Sequence, residues 1–375
     1  MKRYKAIDLF CGAGGLSLGL VKAGFNVKVA VDIDLKALRT YANNFKKVKL
    51  LNKDIKNVEG EELLKLAKIE KGSNFLLAGC PPCQGFSSIG KRDVNDYKNQ
   101  LVFEYVRLIH ETEPTFILME NVPGMSRGIG KDIFKEVINN LSEKYYIEAE
   151  TLNAADYGVP QIRKRLVVHG IRKDVYNILK NTYPDSINYI LPKKTHSIQE
   201  DKKEKLKAWI TVNETISDLP IIRAGENLED SKIFNHICRK VSEINSKRLD
   251  YIRKNGGSRK CLQEEYVLKC HKNNKASYGD TYGVMDGNRP APTLTSGCTS
   301  ITKGRYGHPT QNRGISVREA ARIQTFDDNF KFVGGIDSMS LQIGNAVPPK
   351  LAQASGKSII YLMKLYDAII RDSLN

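Results

Sequence analysis

The fold follows from one short stretch, NFLLAGCPPCQGFS at residues 74–87, in which an apolar run ends in two prolines. Residues 74–79 have the length and bulk of a buried strand. Pro81 and Pro82 cannot continue a strand's hydrogen-bond ladder, because proline has no amide hydrogen. The chain therefore leaves the sheet here, and ligands of open α/β sheets bind where strands end in this way. We interpret Cys83, just beyond this point, as a nucleophile at the rim of a sheet.

The two cysteines of this stretch allow other interpretations. Cys80 and Cys83 are spaced as C-x-x-C, which is typical of a dithiol redox pair or of half a zinc site. A thioredoxin-like motif would open a helix, whereas residues 85–96 read as a polar loop. A pair of buried structural thiols is a further alternative. Taken alone, the stretch leaves these alternatives open beside the nucleophile.

Strands and helices alternate on both sides of this stretch. Helices are predicted near residues 101–110, 131–144 and 351–370, where apolar residues recur at helical spacing. A repeated strand–helix order predicts an α/β fold with a mostly parallel sheet that helices cover on both faces. The predicted strands are residues 5–10, 27–33, 74–79, 115–119, 146–152 and 165–171, and residues 48–51 are a further apolar segment.

The alternation breaks after about residue 185. Residues 193–207 are polar and rich in lysine, and residues 238–275 gather many lysines and arginines between glycine and asparagine turns. This change of composition predicts a second domain with an irregular pattern. The predicted divisions are a first domain at residues 1–185, a second, smaller domain at residues 186–330, and a segment at residues 331–375 that returns to the first domain.

Composition restricts the partners of the chain. A formal net charge of +17 over 375 residues favours a polyanionic partner, although ordinary soluble proteins can also be basic. The seven cysteines are odd in number and scattered, and the start Met1-Lys2-Arg3-Tyr4 leads into a strand and not into a signal peptide. No apolar run approaches the length of a membrane span. A reducing cytoplasm and no membrane partner are therefore expected.

A glycine turn follows the first predicted strand. Residues 12–15 are Gly-Ala-Gly-Gly, an arrangement that brings backbone close to a ligand at a helix N-terminus. It is not a G-x-G-x-x-G motif, because Ser17 stands at the third glycine position, so a dinucleotide is not indicated. Asp32, at the end of the second strand, could accept hydrogen bonds from ribose hydroxyls, and Asp54 could accept one from an adenine amino group. Either acid could instead cap a helix or belong to a loop.

Further polar side chains follow later strands. Glu120 comes directly after the predicted strand at residues 115–119, at the same sheet edge as Cys83, and apolar surroundings there would favour its neutral, proton-donating form. A capping glutamate is the alternative. Gln161, Arg163 and Arg165 alternate, which predicts one strand face suited to binding an anion or a carbonyl group.

The ordered motifs resemble those of the DNA (cytosine-5)-methyltransferases. They run from residue 8 to residue 349 and match the family in order, which leaves redox or zinc chemistry at Cys80 and Cys83 the least favoured alternative. The resemblance implies a Rossmann-like sheet that binds S-adenosylmethionine, with a second, smaller target-recognition domain. The motifs are DLFCGAGG at 8–15, PPCQ at 81–84, ENV at 120–122, Gln161 with Arg163 and Arg165, REAARIQ at 318–324, and QIGN at 342–345.

The resemblance also implies roles for individual residues. Cys83 would add to carbon 6 of a flipped-out cytosine, Glu120 would hold or donate the proton at ring nitrogen 3, and Arg163 and Arg165 would position the ring. Cys80 stands where the family usually has glycine and is taken as a bystander. The implied cofactor-binding residues are Phe10, Gly12, Gly14, Gly15, Leu16, Asp32, Ile33, Asp54, Ile55, Pro82, Asn345 and Val347, and no metal site is implied. The implied DNA contacts are Gln84, Ser87, Ser88, Lys98 and Thr293, with Lys98 where relatives commonly have arginine.

The implied partner is double-stranded DNA. A bacterial or phage methylase of this kind would act as a cytoplasmic monomer beside a restriction endonuclease that recognises the same site.

Three rival functions remain. The branch of the family that modifies transfer RNA carries a Cys-Phe-Thr signature, and no cysteine here is followed by phenylalanine. The other rivals are a DNA-binding module without turnover and a dithiol oxidoreductase that would need both Cys80 and Cys83.

Overall fold

The computed structural model describes residues 4–82, 100–228, 230–268 and 280–373. The chain divides into two compact units, of which the first comprises Met1–Asn153, Lys164–Lys194 and Val347–Asn375, and the second comprises Ala154–Arg163 and Thr195–Ala346. Among the helices of the described residues, none is long and apolar enough to span a bilayer.

A seven-stranded sheet forms the centre of the first unit, and six of its strands were predicted from the sequence, while the seventh coincides with the apolar segment at residues 48–51. The strands lie side by side in the order β3-β2-β1-β4-β5-β7-β6. Pairing is parallel from β3 to β5, whereas β7 runs antiparallel to both of its neighbours. The strands are β1 (Lys5–Leu9), β2 (Asn26–Asp32), β3 (Lys49–Asn52), β4 (Leu76–Gly79), β5 (Phe116–Asn121), β6 (Tyr145–Asn153) and β7 (Lys164–Arg172).

The direction of β7 follows from its connection to β6. A parallel neighbour needs a long crossover, usually a helix, and residues 154–163 contain only a short 3₁₀ turn at Ala154–Tyr157. The two strands therefore pair antiparallel over their whole length, from Tyr145 opposite Arg172 to Asn153 opposite Lys164.

The helices described by the structure cover the sheet and build part of the second unit. They are α1 (Gly15–Ala23), α2 (Leu35–Asn44), α3 (Gly60–Ala67), α4 (Leu101–Thr112), α5 (Lys131–Ser142), α6 (Lys173–Thr182), α7 (Val212–Ile216), α8 (Glu243–Lys254), α9 (Val317–Ile323), α10 (Ile336–Asn345) and α11 (Pro349–Asp372).

Both faces of the sheet are buried. On one face, apolar residues of β1, β2 and β4 pack with α3, α4 and α5 into a continuous cluster that includes Leu9, Leu77 and Tyr105. On the other face α1 and α11 approach closely, since a Cβ atom added to Gly19 would lie 2.4 Å from both the Cβ of Ala352 and the carbonyl oxygen of Pro349. The layered α/β architecture expected from the sequence is confirmed.

The unit boundaries differ from the predicted divisions at residues 185 and 330. The first unit continues to Lys194 because Ile190 is bound to it: its amide donates to Glu148 at 2.9 Å, and its carbonyl oxygen accepts from Ser358 at 2.8 Å. Residues 154–163 belong to the second unit instead of the first, since Ile162 N donates to Ala291 O at 2.9 Å. The second unit ends at Ala346, so that it includes α10.

The second unit contains little regular structure, and buried polar side chains supply much of its internal bonding. Two pairs of two-residue strands are present in the described part, β8 (His196–Ser197) with β9 (Lys207–Ala208) and β10 (Asn227–Leu228) with β11 (His236–Ile237). The guanidinium of Arg318 is fully buried and donates to the carbonyl oxygens of Phe234, Asp327 and Phe330. Hydrogen bonds to irregular backbone thus take the place of a β ladder, which explains why periodicity predicted little here beyond the regular stretch at residues 317–325, where α9 lies.

Candidate active site

The end of β4 is held tightly between its neighbours. A Cβ atom added to Gly79 would lie 2.9 Å from the ring of Tyr105, and Cys80 N donates to Leu9 O at 3.2 Å. Asn121, at the end of β5, donates from Nδ2 to the carbonyl oxygen of Pro81 at 3.0 Å. The chain therefore reaches the residue before Cys83 from a fixed position. Cys83 itself lies outside the described residues, as do the predicted DNA contacts Gln84, Ser87, Ser88 and Lys98.

Glu120 and Arg165 form a largely buried ion pair at this end of the sheet. Arg165 Nε lies 3.0 Å from Glu120 Oε1, and Arg165 also donates from Nη1 to the carbonyl oxygen of Lys164 at 2.7 Å. Arginine keeps its charge, although burial lowers the pKa of Arg165 and Glu120 opposes that shift. A guanidinium stabilises a charged carboxylate, while burial stabilises the neutral acid. Glu120 therefore has a cationic partner, where the sequence suggested apolar surroundings alone.

Cys80 is half-buried beside this pair. Burial, followed by the negative charges of Glu120 and Asp8, raises the pKa of its thiol well above the ordinary value. A reactive cysteine needs its thiolate form. Cys80 is thus unsuited to dithiol exchange, in agreement with the interpretation that it is a bystander.

The glycine turn after β1 uses its glycines for different purposes. Phe10, Gly12 and Gly14 all have positive φ, of 58°, 52° and 100°. A Cβ atom added to Gly12 would meet nothing within 4 Å, so a ligand could approach the backbone on that side. A Cβ atom added to Gly14 would lie 2.5 Å from the ring of Phe45, so Gly14 permits close packing with α2. The turn therefore has open backbone at Gly12 and tight packing against Phe45 at Gly14.

Asp32 ties the glycine turn to the end of β2. Its Oδ2 accepts from Gly12 N at 2.8 Å and its Oδ1 accepts from Asp34 N at 2.8 Å. Burial raises the pKa of Asp32. Next to it, the side chain of Ile33 is 66% exposed, which places an apolar surface beside a carboxylate. This pairing suits a ligand with hydroxyl groups and a flat apolar ring, as a nucleoside has.

The other predicted cofactor residues of the first unit differ in accessibility. Asp54 accepts from Lys56 N at 3.1 Å and caps the 3₁₀ turn Ile55–Asn57, which is the capping alternative considered above. Leu16, Ile55 and Val347 are buried, and Phe10 and Pro82 are half-buried. Their contacts with a cofactor remain predictions.

The polar residues of the segment before β7 bind inward within the second unit. Arg163 is 2% exposed and donates to the carbonyl oxygens of Leu294 at 2.7 Å and Gly344 at 2.9 Å. Gln161 Oε1 accepts from Leu294 N at 2.8 Å. The expectation of one strand face carrying Gln161, Arg163 and Arg165 is wrong, because β7 begins only at Lys164 and Arg165 belongs to the first unit.

Two other predicted residues of the second unit are exposed. Thr293 donates from Oγ1 to the carbonyl oxygen of Ile162 at 2.7 Å, and Asn345 lies at the last residue of α10. Their roles toward DNA and cofactor remain predictions.

Sequence reasoning missed two supporting asparagines. Asn121 holds the Pro81 carbonyl group, and its position next to Glu120 was the available signal. Asn52 donates from Nδ2 to the carbonyl oxygens of Asp32 at 3.2 Å and Ile33 at 3.0 Å, and thereby orients the end of β2. No local pattern marks Asn52, because its partners lie about 20 residues away on another strand.

Comparison with known proteins identifies the class. The family model described as "C-5 cytosine-specific DNA methylase" matches residues 4–361. The chain therefore belongs to the C-5 cytosine-specific DNA methylases. It is an enzyme that transfers a methyl group from S-adenosylmethionine to carbon 5 of cytosine in DNA.

Individual relatives match over nearly the whole chain. The chain is 35% identical over 359 residues to the type II methylase M.HgiDII of Herpetosiphon aurantiacus, covering 94% of each chain. It is 34% identical over 360 residues to the type II methyltransferase M1.HphI of Haemophilus parahaemolyticus, covering 94% of this chain and 86% of the relative. A crystal structure from E. coli, described as a prophage-encoded DNA modification methyltransferase, has a TM-score of 0.67 and 29% identity, over 96% of this chain and 99% of that one.

Proposed function

We propose that Cys83 is the nucleophile of methyl transfer, that Glu120 holds the proton at nitrogen 3 of the target cytosine, and that Arg165 orients Glu120. The observation that supports this most directly is the buried Glu120–Arg165 ion pair at the end of β5. Asn121, the next residue, holds the Pro81 carbonyl group two residues before Cys83. Glu120 lies at the end of β5, and Cys83 follows β4, the adjacent parallel strand, by four residues in the sequence, which suits a reaction that needs a proton donor and a nucleophile on one ring.

The chemistry explains these residue types. Carbon 5 of cytosine is a poor nucleophile, and addition of the Cys83 sulfur to carbon 6 makes carbon 5 enamine-like. The addition moves electron density toward nitrogen 3, and a proton that Glu120 shares with nitrogen 3 neutralises it there. When bound, S-adenosylmethionine supplies the methyl group to carbon 5. Loss of the carbon 5 proton then expels the Cys83 sulfur, which breaks the bond formed in the first step.

The cofactor is proposed to lie against the glycine turn and the end of β2. Gly12 offers open backbone, Asp32 offers a carboxylate for the ribose hydroxyls, and the exposed Ile33 offers an apolar surface for the adenine. Asn52 would hold Asp32 and Ile33 in place by donating to their backbone carbonyl oxygens.

The second unit is proposed to recognise the target sequence. Its Arg163 donates from both terminal nitrogens to carbonyl groups there, so we assign it a positioning role and not a contact with the cytosine ring. Cytosine inside a duplex must be flipped out at a cost of a few kcal/mol before a protein can act on it. Gln84, Ser87, Ser88, Lys98 and Thr293 are the proposed DNA contacts around that base.

The biological role is proposed from the relatives. Those named above are type II methylases, and we propose that this chain likewise modifies a specific double-stranded site. Its product would protect that site from a partner endonuclease. We propose further that the enzyme works as a monomer in the cytoplasm.

The proposed substrate is tested by incubating the protein with S-adenosylmethionine and either plasmid DNA or transfer RNA, then weighing the digested nucleosides by mass spectrometry. We expect 5-methyldeoxycytidine from DNA alone, and bisulfite sequencing of the same plasmid would locate one recurring target sequence. Methylated cytidine from transfer RNA alone would contradict the proposal, and methylation at scattered cytosines would contradict the restriction-modification role.

Glu120→Gln is expected to lower kcat by about 10²- to 10⁴-fold, the usual contribution of a positioned proton donor. The amide keeps the size of the side chain but cannot share a proton with nitrogen 3. Steady-state methylation with saturating DNA and cofactor measures kcat. Glu113→Gln is the matched control, because Glu113 pairs at the surface with Lys144, and its loss should leave kcat within about twofold. Equal rates for the two variants would remove Glu120 from the mechanism.

The affinity for DNA is expected to fall steeply with salt if the basic second unit contacts phosphates. Each phosphate contact contributes about 0.9 to the negative slope of log affinity against log salt concentration. Fluorescence anisotropy between about 50 and 200 mM salt measures the slope, and we expect a loss of roughly 10³-fold or more for six contacts. A flat response would exclude phosphate binding by this surface.

A further inference from the structure

Asp8 is a carboxylic acid in the middle of β1, fully shielded from solvent. Its Oδ2 accepts a hydrogen bond from Ser17 Oγ at 2.6 Å, and Ser17 Oγ lies 2.6 Å from the hydroxyl oxygen of Tyr41. Asp8 Oδ1 has no hydrogen-bond partner within the described part of the chain. A buried carboxylate that only the neutral donors of Ser17 stabilise is costly, and such a group usually takes up a proton instead.

Within the described part of the chain, no cation compensates the negative charge of Asp8. No ion pair joins Asp8 to a lysine, arginine or histidine of the described ranges. Burial raises the pKa of the surrounding thiols and phenols well above their ordinary values, so these groups are neutral near pH 7, and the remaining neighbour is a second acid. The titratable groups that interact with Asp8 are Asp32 of β2, Cys11 of the glycine turn, Tyr41 of α2, Cys80 after β4 and Tyr105 of α4.

This network lies directly beneath the glycine turn. Ser17 belongs to the first turns of α1, and a Cβ atom added to Gly14 would lie 3.0 Å from the ring of Tyr41. The second acid, Asp32, accepts from Gly12 N on the same turn. The charge of Asp8 is therefore placed under the backbone on which the cofactor is proposed to rest.

We propose that Asp8 is a positioning residue that holds a proton in the free protein and releases it to solvent when S-adenosylmethionine binds, so that its carboxylate stabilises the positively charged cofactor. The inference rests on the cofactor site proposed around Gly12 and Asp32. S-adenosylhomocysteine, the product left after methyl transfer, lacks the sulfonium charge, so the ionised Asp8 favours the donor over the product.

The direction of the pH effect follows from linkage. Burial, opposed by the Ser17 hydrogen bond and reinforced by the charge of Asp32, raises the pKa of Asp8 to about 7 in the free protein. A nearby cation lowers the pKa of a carboxyl group, so the bound state carries fewer protons. Affinity then rises as the pH increases through about 7 and levels off above it. We expect the Kd of S-adenosylmethionine to fall by roughly threefold to tenfold from pH 6 to pH 8, and that of S-adenosylhomocysteine to change less.

Isothermal titration calorimetry of the full chain with S-adenosylmethionine tests this, in buffers of different ionisation enthalpy at several pH values. We expect release of a fraction of a proton near pH 7 by the wild type, and neither release nor pH-dependent affinity for the nearly isosteric Asp8→Asn. Binding of the cofactor without proton release, or proton release that is unchanged in Asp8→Asn, overturns the role proposed for Asp8 and leaves the proposed cofactor site standing. A wild type that binds no cofactor overturns the proposed cofactor site together with it.

Tyr41→Phe provides a second test that does not depend on the stability of Asp8→Asn. The phenylalanine ring keeps the packing against Gly14, but the hydroxyl that supports Ser17 is lost. The carboxylate of Asp8 is then less stabilised, and the midpoint of proton release should move to higher pH. Tyr146→Phe is the control, because the Tyr146 hydroxyl donates to Glu148 on β6, and no shift is expected. An unchanged midpoint in Tyr41→Phe overturns the proposal.

Discussion

Cys83→Ser is expected to lower the rate of cytosine methylation by about 10⁴-fold or more, because a serine hydroxyl is far less able than a thiolate to add to carbon 6. Binding of S-adenosylmethionine and of DNA should be retained, since neither depends on a covalent bond to sulfur. Single-turnover methylation measures the rate, and calorimetry and anisotropy measure the two affinities. A loss of rate together with both affinities would indicate misfolding and not loss of a nucleophile.

Cys80→Ser is the matched control for this variant. Cys80 lies three residues earlier, and burial disfavours its thiolate, so we expect methylation within about threefold of the wild type. A direct readout of the covalent step is available from DNA with 5-fluorocytosine at the target, since fluorine cannot leave carbon 5 as a proton does. The wild type and Cys80→Ser should form a complex that survives denaturing electrophoresis, and Cys83→Ser should not. Trapping by Cys83→Ser, or failure of both cysteine variants alike, would contradict the assignment.

Glu319→Gln is expected to destabilise the second unit by about 3–5 kcal/mol, because it removes one member of a buried ion pair and leaves the other uncompensated. Glu319 and Arg313 are each 1% exposed and are joined by two hydrogen bonds of 2.7 and 2.8 Å. Glu319 also accepts from Ser316 N at 2.7 Å, which caps α9. The charge thus connects a buried arginine to the start of a helix. Denaturant unfolding monitored by circular dichroism measures the free energy of unfolding.

The pH dependence of this deficit has a definite sign. Burial opposes ionisation of Glu319, but hydrogen bonds from Arg313 and His308 outweigh it and hold the pKa of Glu319 well below its usual range. A depressed pKa stabilises the fold above the unfolded-state value near 4.3 and does so less as the pH falls below it. The deficit of Glu319→Gln should therefore be full at pH 7 and narrow below about pH 4. Glu243→Gln, which removes an exposed pair with Lys247, should leave the free energy of unfolding nearly unchanged. Equal effects of the two substitutions would show that burial of the Arg313 pair contributes nothing.

The sequence by itself determined where most strands of the sheet lie and where the chain leaves the sheet. Residues 74–79 form a buried strand because their side chains are apolar, and the chain leaves the sheet because Pro81 and Pro82 cannot donate hydrogen bonds. The glycine turn after β1 was equally evident, since positive φ at Gly12 and Gly14 is a local requirement. These features depend on residues close together in the chain, and periodicity and residue type report such features directly.

Only the tertiary structure decided which groups meet. The partner of Glu120 is Arg165, which is brought alongside by an antiparallel strand that the pattern of alternation did not distinguish from a parallel one. Arg163, two residues earlier, bonds instead to carbonyl groups more than 130 residues away, within the second unit. The isolation of the Asp8 carboxyl likewise depends on helices α1 and α2 closing over β1. Charge pairing and burial are set by long-range contacts, and no local signal in the sequence specifies them.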